Sequence, residues 1–433
     1  MPLVRPASSS RTPLLHLAAV VVCLVVVAAG CSLLGTDASN HPGASDHDAE
    51  RLAPRSGHPW GPTDADLARA RRTVAAWSPE RLAGQMIVAG YPGSNPATPA
   101  RLVRDLHLAG IALNGGNVVS GSQVRATARA VVAAARADRR SFPPVVATDQ
   151  EGGIVEHLRG IAASYPPFSA AGRAVVTKPR SGSGVVRGAM RAAGLEMRAL
   201  GVTWVLGPVG DVTIGAADPT IGSRSASSDP RVAAKATGAA IRGYRDAGLV
   251  STVKHFPGHG SVTADSHLVL PRLDATLRQL ERRDLLPFRT SVAVGAPVVM
   301  LAHVDVRALA PGSPSSLAPA VYRYLRKQLG FRGVAMTDAL EMGAVATHGQ
   351  HPAVAALRAG ADLVLIPPDV YAAHAAVADA IRDGRLARRR AVTSAARVVA
   401  LQMWQQRRAR ELPVAPDAAA QARTAARELG RVQ

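Results

Sequence analysis

Short, almost continuously apolar runs recur along the chain at 86–91, 110–113, 145–148, 202–208, 250–255, 298–303, 333–337 and 361–366. They are mostly β-branched and too short for helices, so each predicts a strand buried on both faces. Between them lie Ala-rich, Arg-studded stretches with helical period, among them 123–136, 185–200, 232–247, 273–294 and 319–329. Eight such strands alternating with helices over about 300 residues predict an α/β fold, a closed (β/α)8 TIM barrel. An open doubly wound sheet would want a Gly-rich phosphate turn after its first strand, and Tyr91-Pro92-Gly93 is not one. Order is expected to begin at Thr63, where Thr63 and Asp66 have capping-box spacing; Ser78-Pro79 then start a second helix. The pattern divides the chain into one catalytic barrel over 63–405 and a basic helical tail over 406–433 that frays. No internal repeat and no second domain are visible.

The N-terminal pattern is different. Arg5 and Arg11 precede residues 14–30, apolar except for His16 and ending Ala28-Ala29-Gly30-Cys31. This predicts a signal peptide over 1–30, too short for a comfortable membrane span. A cysteine directly after small residues resembles a bacterial lipoprotein signal, although Ala28 stands where Leu or Val is commoner. The resemblance implies lipidation at Cys31 and an extracytoplasmic, membrane-anchored protein. The only other cysteine, Cys23, lies inside the removed segment, so Cys31 has no disulfide partner. Ordinary secretion with a free Cys31 is the alternative. Residues 31–62, rich in Gly, Pro, Ser, Asp and His, read as a flexible tether.

The 433-residue chain carries a formal charge of +20, with 51 Lys and Arg against 31 Asp and Glu. Lysine occurs only at 178, 235, 254 and 327; the rest is arginine scattered through helical segments rather than drawn into a nucleic-acid stripe. Compositional bias explains this, or attraction to an anionic cell-wall polymer or membrane surface.

In a barrel, chemistry belongs where strands end. Asp149-Gln150-Glu151-Gly152-Gly153 follows the third strand. Asp211, and then Asp218 to Arg224, follow the fourth. The fifth delivers Lys254, His255 and a Pro257-Gly258-broken loop through His259 to Asp265-Ser266-His267. The sixth ends at His303 and the seventh at Asp338. Singly, Asp149 or Asp338 could cap a helix, His303 could be a core histidine, and Arg224 could pair with Asp218 or Asp229. Their accumulation at successive strand ends argues for a site.

Two chemistries fit. His255, His259, Asp265 and His267 are metal-ligand types. His-x3-His, however, aligns two ligands only on a helix, which Pro257 and Gly258 prevent, so no metal is expected. Glycoside cleavage needs a carboxylate at the anomeric carbon and a proton donor. Asp338 suits the first role, and His267 oriented by Asp265 suits the second.

These residues are recognisable. Lys254-His255-Phe256-Pro257-Gly258-His259-Gly260 with Asp265-Ser266-His267 resembles the signature of family 3 β-N-acetylglucosaminidases, a type of β-N-acetylhexosaminidase. Asp149-Gln150-Glu151-Gly152-Gly153, Arg224-Ser225, Ala302-His303-Val304 and Thr337-Asp338-Ala339-Leu340 resemble its other blocks. The resemblance implies a cofactor-free hydrolase that retains configuration. Asp338 would be the nucleophile, His267 the general acid/base on a mobile loop and Asp265 its partner. Asp149, Arg224, Lys254 and His255 would bind N-acetylglucosamine hydroxyls.

It further implies a monomer acting on peptidoglycan-derived N-acetylglucosaminyl–N-acetylmuramic saccharides in cell-wall recycling, with no nucleic-acid partner. The chain is read as ending too soon for the α/β sandwich domain that some members carry. Departures are Ile154 where Arg is usual, Glu156-His157 where Gln-Arg is common, and Ala226 in place of an aromatic. They point to altered support of the Asp149 loop and a more open site. A phosphorylase and a non-catalytic wall-binding lipoprotein are the rival readings.

Overall fold

The computed structural model describes residues 57–346 and 351–432; segment 1–30, Cys31 and the tether as far as 56 lie outside the described residues. Eight parallel strands close into a barrel: β1 (Ile87–Ala89), β2 (Gly110–Leu113), β3 (Val145–Thr148), β4 (Trp204–Val205), β5 (Val250–Phe256), β6 (Val298–Leu301), β7 (Val334–Ala339) and β8 (Leu363–Leu365). Each pairs with its sequence neighbour, and β8 returns to β1 through Ile87 opposite Val364. All eight start within the apolar runs read from the sequence, β5 running one residue and β7 two residues past their ends, and helices surround them.

Alternation sorts the barrel side chains into two clusters, as the pleat requires. Val88, Ala112, Val145, Ala147, Trp204, Val250, Val298, Met300, Val334 and Met336 fill the interior. Their neighbours Ile87, Ile111, Val146, Val205, Val253, Val299 and Ala335 face the helix ring. Following the inward parity two residues beyond Ala147, Thr252 and Met336 gives Asp149, Lys254 and Asp338. The period that builds the core thus brings three charged groups to the top of the barrel.

The opposite end is closed by the helix Arg388–Glu411, whose Val398, Leu401 and Trp404 join the inner cluster with Trp60. The buried Gln402 donates to the carbonyl of Ala109 at 3.0 Å and accepts from Gln85 at 2.7 Å. The capping box at Thr63 and the Ser78-Pro79 start form as expected.

Three boundaries differ from the sequence reading. The segment 273–294 is not one helix: Arg272–Leu273 pairs with Asp305–Val306, and the helices Leu277–Arg282 and Leu286–Ala293 are separate, with Pro287 starting the second. Ordered chain begins before Thr63, because residues 58–62 form a turn with Trp60 buried under the barrel. The tail does not fray. The helix Arg388–Glu411 crosses position 405, and the helix Ala418–Gly430 buries Ala418, Ala422, Ala426 and Leu429. Tyr165 Oη donates to the Ala422 carbonyl at 3.2 Å, tying that last helix to the body. No described helix is long and apolar enough to cross a membrane.

Below β8, the fully buried Asp362 gathers Arg326 at 2.5 Å, Arg397 at 3.0 Å and Arg390 at 3.1 Å, and also accepts from the Ala335 N–H. Burial alone would raise its pKa, but the three guanidiniums hold it well below the carboxylate range. Asp362→Ala leaves those cations clustered without a counter-ion. A loss of about 3 kcal/mol is expected, the low end for a broken buried pair, because the guanidiniums keep 20–28% of their side-chain surface in water. Urea denaturation of both chains measures it.

Candidate active site

The Gly152-Gly153 pair turns the chain after β3 into a short hairpin, Gln150–Gly152 against Val155–Glu156, with both glycines at positive φ. A Cβ on Gly152 would stand 2.5 Å from the Pro166 carbonyl, so the hairpin can seat there only without a side chain. The fold-back holds Glu151 inward beside Asp149. Lys254 Nζ contacts Asp149 Oδ1 and lies 2.6 Å from Glu151 Oε1. Arg224 grips the same Glu151 in a two-pronged pair, at 2.8 and 2.9 Å. Burial pushes the Glu151 carboxyl up, but Lys254 and Arg224 outweigh it and lower the pKa to about 2. Burial likewise opposes the charge on Lys254, and Asp149 and Glu151 more than restore it.

Arg224 therefore pairs with neither carboxylate closest to it in sequence. Asp218 instead accepts from the backbone N–H groups of Thr220, Ile221 and Gly222 and from the Thr213 hydroxyl, shaping the loop that presents Arg224. Asp229 caps the helix Pro230–Asp246.

Asp211, fully buried after β4, organises the β5 loop. It accepts from His255 Nδ1 at 2.6 Å and from the N–H groups of His255 and His259 at 3.2 and 2.7 Å. With Nδ1–H donated to Asp211, the Nε2 edge of His255 is left for the site. His259 is buried; its Nε2 meets Ser266 Oγ at 2.8 Å, and it spans the loop from inside. Burial and the neighbouring His255 lower its pKa, so it is held neutral. The four candidate metal ligands do not converge, since these histidines are bound to Asp211, Ser266 and, for His267, Asp265.

Beyond Ser266 the loop tightens: the N–H groups of Leu268 and Val269 both donate to the Asp265 carbonyl at 3.1 Å. Asp265 Oδ1 accepts from His267 Nδ1 at 2.7 Å and from its N–H at 2.9 Å. This fixes the tautomer and leaves Nε2 outward on a side chain 61% exposed. Burial raises the Asp265 pKa, but the two bonds from His267 outweigh it and keep the carboxyl low.

Asp338 stands at the end of β7, half-buried, one oxygen accepting from the Ala339 N–H at 2.9 Å. Burial raises its pKa, yet His255, His303 and Lys254 together pull it below the ordinary carboxylate range. His303 is a positioning residue. Its Nε2 donates to the Ala339 carbonyl at 2.9 Å, which can only accept, so Nδ1 takes the Ser316 hydroxyl proton at 2.6 Å.

The His267 loop and the turn after β7 touch. Gly343, just after β7, donates to the His267 carbonyl at 3.0 Å, and Ala344 to that of Ser266 at 3.3 Å. A Cβ on Gly343 would stand 2.7 Å from the Leu268 carbonyl and 2.9 Å from that of His267. Gly343→Val is expected to push the His267 loop outward and lower kcat by about tenfold or more, since displacements near 1 Å cost that much or more. KM is expected to change little, because the Asp149–Lys254 and Glu151–Arg224 pairs lie on the other loops. Steady-state kinetics on an aryl glycoside separates the two.

The seven residues expected from sequence to act on or bind the sugar thus reach one rim: Asp149, Arg224, Lys254 and His255 form a charged floor with Asp338, and Asp265 with His267 form an outer arm. Glu151 and Asp211 were not assigned roles from sequence, and each holds two of those side chains or backbone groups in place. Of the departures, Ile154 is the hairpin tip and is 75% exposed. Glu156 is buried and accepts from the Tyr165 N–H at 2.8 Å, and His157 approaches Asp149 at 3.8 Å while accepting from the Gly115 N–H. Support of Asp149 is therefore altered in partner rather than missing. Ala226 is buried against Gly172, whose Cβ would fall 1.8 Å from its carbonyl.

Comparison with known proteins agrees with this geometry. Residues 81–401 match the family described as the glycosyl hydrolase family 3 N terminal domain. The chain is 36% identical over 262 residues to a beta-hexosaminidase of Stenotrophomonas maltophilia, covering 60% of this chain and 76% of the relative. Among solved structures, it is similar to a family 3 beta-N-acetylglucosaminidase from a Paenibacillus species, with TM-score 0.75, 30% identity, and 82% and 69% of the two chains covered. A beta-N-acetylhexosaminidase from Beutenbergia cavernae superposes with TM-score 0.68 at 28% identity, over 76% of this chain and 99% of the other. A closed barrel with charged groups gathered at its strand ends, and a family match across nearly the whole of that barrel, make this chain a glycosidase of glycoside hydrolase family 3.

Proposed function

We propose that the chain is a retaining exo-β-N-acetylglucosaminidase that removes terminal N-acetylglucosamine from peptidoglycan fragments. The observation that carries this reading is the Asp265–His267 pair, Nε2 open, on a loop docked to the turn that follows Asp338. In the first step an Asp338 oxygen attacks the anomeric carbon while His267 Nε2–H protonates the departing oxygen, leaving a glycosyl ester on Asp338. In the second step His267, now neutral, takes a proton from water. The hydroxide adds to the anomeric carbon and the Asp338 carboxylate leaves. Two inversions give retention.

Asp265 favours the imidazolium that donates in the first step and re-forms in the second, and its low pKa keeps it anionic for this. The low pKa of Asp338 keeps the nucleophile ionised at neutral pH. On the acid side, activity from this group should persist until pH falls below the ordinary carboxylate range.

The beta-hexosaminidase and beta-N-acetylglucosaminidase relatives support the sugar specificity. The apolar 14–30 segment ending at Cys31 supports a lipid anchor on the outer face of the cytoplasmic membrane, where wall fragments are met. The test is hydrolysis of N-acetylglucosaminyl–N-acetylmuramic disaccharide in phosphate buffer. Free N-acetylglucosamine with retained configuration is expected; its 1-phosphate would mark a phosphorylase, and no product a binding protein. Incorporation of labelled fatty acid by the native chain, lost in Cys31→Ser, tests the anchor.

A further inference from the structure

We propose that the protein carries a second site, away from the catalytic rim: a basic cleft that takes phosphate-bearing anions, with the headgroups of an anionic lipid surface as their source. The cleft has a volume of about 1290 Å³ and opens at the starts of β7 and β8, where Phe331, Arg332, Ala359 and Gly360 line it. It therefore lies at the barrel end opposite Asp338 and His267. Helix Arg388–Glu411 and helix Pro319–Lys327 supply its walls.

Its charge is one-sided. Arg326, Arg390 and Arg397 reach it while bound to Asp362 beneath. Arg71, Arg323, Lys327, Arg332 and Arg389 line it as well, all exposed, and none pairs with a carboxylate among the described residues. The single carboxylate on its lining, Asp64, is bound to His58 at 2.9 Å. Eight cations against two carboxylates, Asp64 on the lining and Asp362 beneath, leave a net positive concave wall where field lines concentrate. Folding alone gives no reason to gather them, since only three are used to neutralise Asp362. A ligand carrying several negative oxygens removes the repulsion, and guanidiniums match phosphate geometry through two-pronged hydrogen bonds.

The lipid source is favoured by where the chain enters. His58 and Trp60 line the cleft, so the described chain begins at its lip, and the sequence before it leads back to Cys31 and the apolar 14–30 segment. This choice of source rests on the anchored reading above. A flexible tether attached at that end keeps the cleft within reach of the membrane surface. Basic groups near an anionic bilayer are drawn to it, and salt weakens the attraction.

The test uses the full chain and the triple variant Arg323→Ala/Arg332→Ala/Arg389→Ala, none of them in the catalytic machinery. Cosedimentation with phosphatidylglycerol vesicles is expected to weaken about a hundredfold in the variant, and binding by the native chain should fall as salt rises. Both chains carry the same apolar segment, so any binding it contributes cancels in the comparison, and phosphatidylcholine vesicles should not distinguish them. Calorimetric titration with inorganic pyrophosphate is the second arm. Pyrophosphate binding that the variant loses, without a vesicle difference, keeps the phosphate site and assigns it to soluble anions. Equal binding of vesicles and of pyrophosphate by the two chains overturns the proposal. Aryl glycoside hydrolysis by both chains reports the catalytic reading separately: unchanged rates show the variant folded, and absent turnover in the native chain would sink that reading alone.

Discussion

Asp338→Ala is expected to abolish turnover of an aryl β-N-acetylglucosaminide, lowering kcat by roughly 10⁴-fold or more, as removal of a nucleophile does. The prediction rests on position as much as on residue type. Asp338 continues the inward parity of Val334 and Met336, so its carboxylate stands at the top of the barrel interior. His255, His303 and Lys254 offset the burial that would protonate it, and the Ala339 N–H fixes one oxygen. Folding should survive the substitution, because no cation depends on Asp338 as its only partner: Lys254 has Asp149 and Glu151, and His255 has Asp211. Asp338→Ala should therefore unfold at a denaturant concentration close to that of the native chain while losing its chemistry. A variant equally inactive but unfolded would leave the structural account wrong at this point.

Glu151→Ala is expected to do the reverse, damaging stability and binding together. The carboxylate is almost wholly shielded from water and neutralises both Lys254 and Arg224. Removing it leaves two buried cations facing each other with only Asp149 nearby, a loss of about 3–5 kcal/mol. Even Glu151→Gln, which keeps the shape, removes the charge. Lys254 and Arg224 should then turn toward Asp149 or solvent, and KM should rise at least about tenfold, since a lost charged hydrogen bond costs about 1.5–3 kcal/mol.

The pH dependence carries the same sign. The folded-state pKa is depressed to about 2, so the group stabilises the fold above the ordinary carboxylate range. That stability is lost as pH falls from the ordinary value toward about 2. Between roughly pH 5 and 2, the native chain should therefore lose stability more steeply than Glu151→Gln. Urea titrations across that window measure the difference.

Most of the scaffold was legible because barrel strands are buried on both faces and announce themselves as unbroken apolar runs. The same regularity exposed Asp149, Lys254 and Asp338, each one step of the inward period beyond an interior residue. His267 and Asp265 were legible through chemistry, in a loop too rich in Pro and Gly to be anything regular. Asp211 could be seen at a strand end but not weighed. Its partners are the His255 ring and backbone N–H groups more than forty residues later, and no local pattern encodes them. Glu151 was hidden for a related reason. Sequence proximity offered Arg224 the carboxylates of Asp218 and Asp229, but both are consumed by backbone donors, and only the folded hairpin brings Glu151 across. The tail misled because its apolar positions are nearly all alanine, a weak signal that nonetheless packs closely against the helix Gly182–Ala199.

The proposed two-step mechanism requires that Asp338 be glycosylated and that His267 drive its release. The most direct measurement is intact-mass and peptide mass spectrometry of His267→Ala mixed with an aryl β-N-acetylglucosaminide whose leaving group needs no protonation. A rapid burst of phenol is expected, with one N-acetylglucosaminyl unit on the peptide containing Asp338. Steady turnover should be about 10²–10⁴-fold slower than native. Azide, which needs no base, should then release the sugar as the β-azide. Turnover without accumulation of any adduct, or product of inverted configuration, would rule out a glycosyl ester on Asp338.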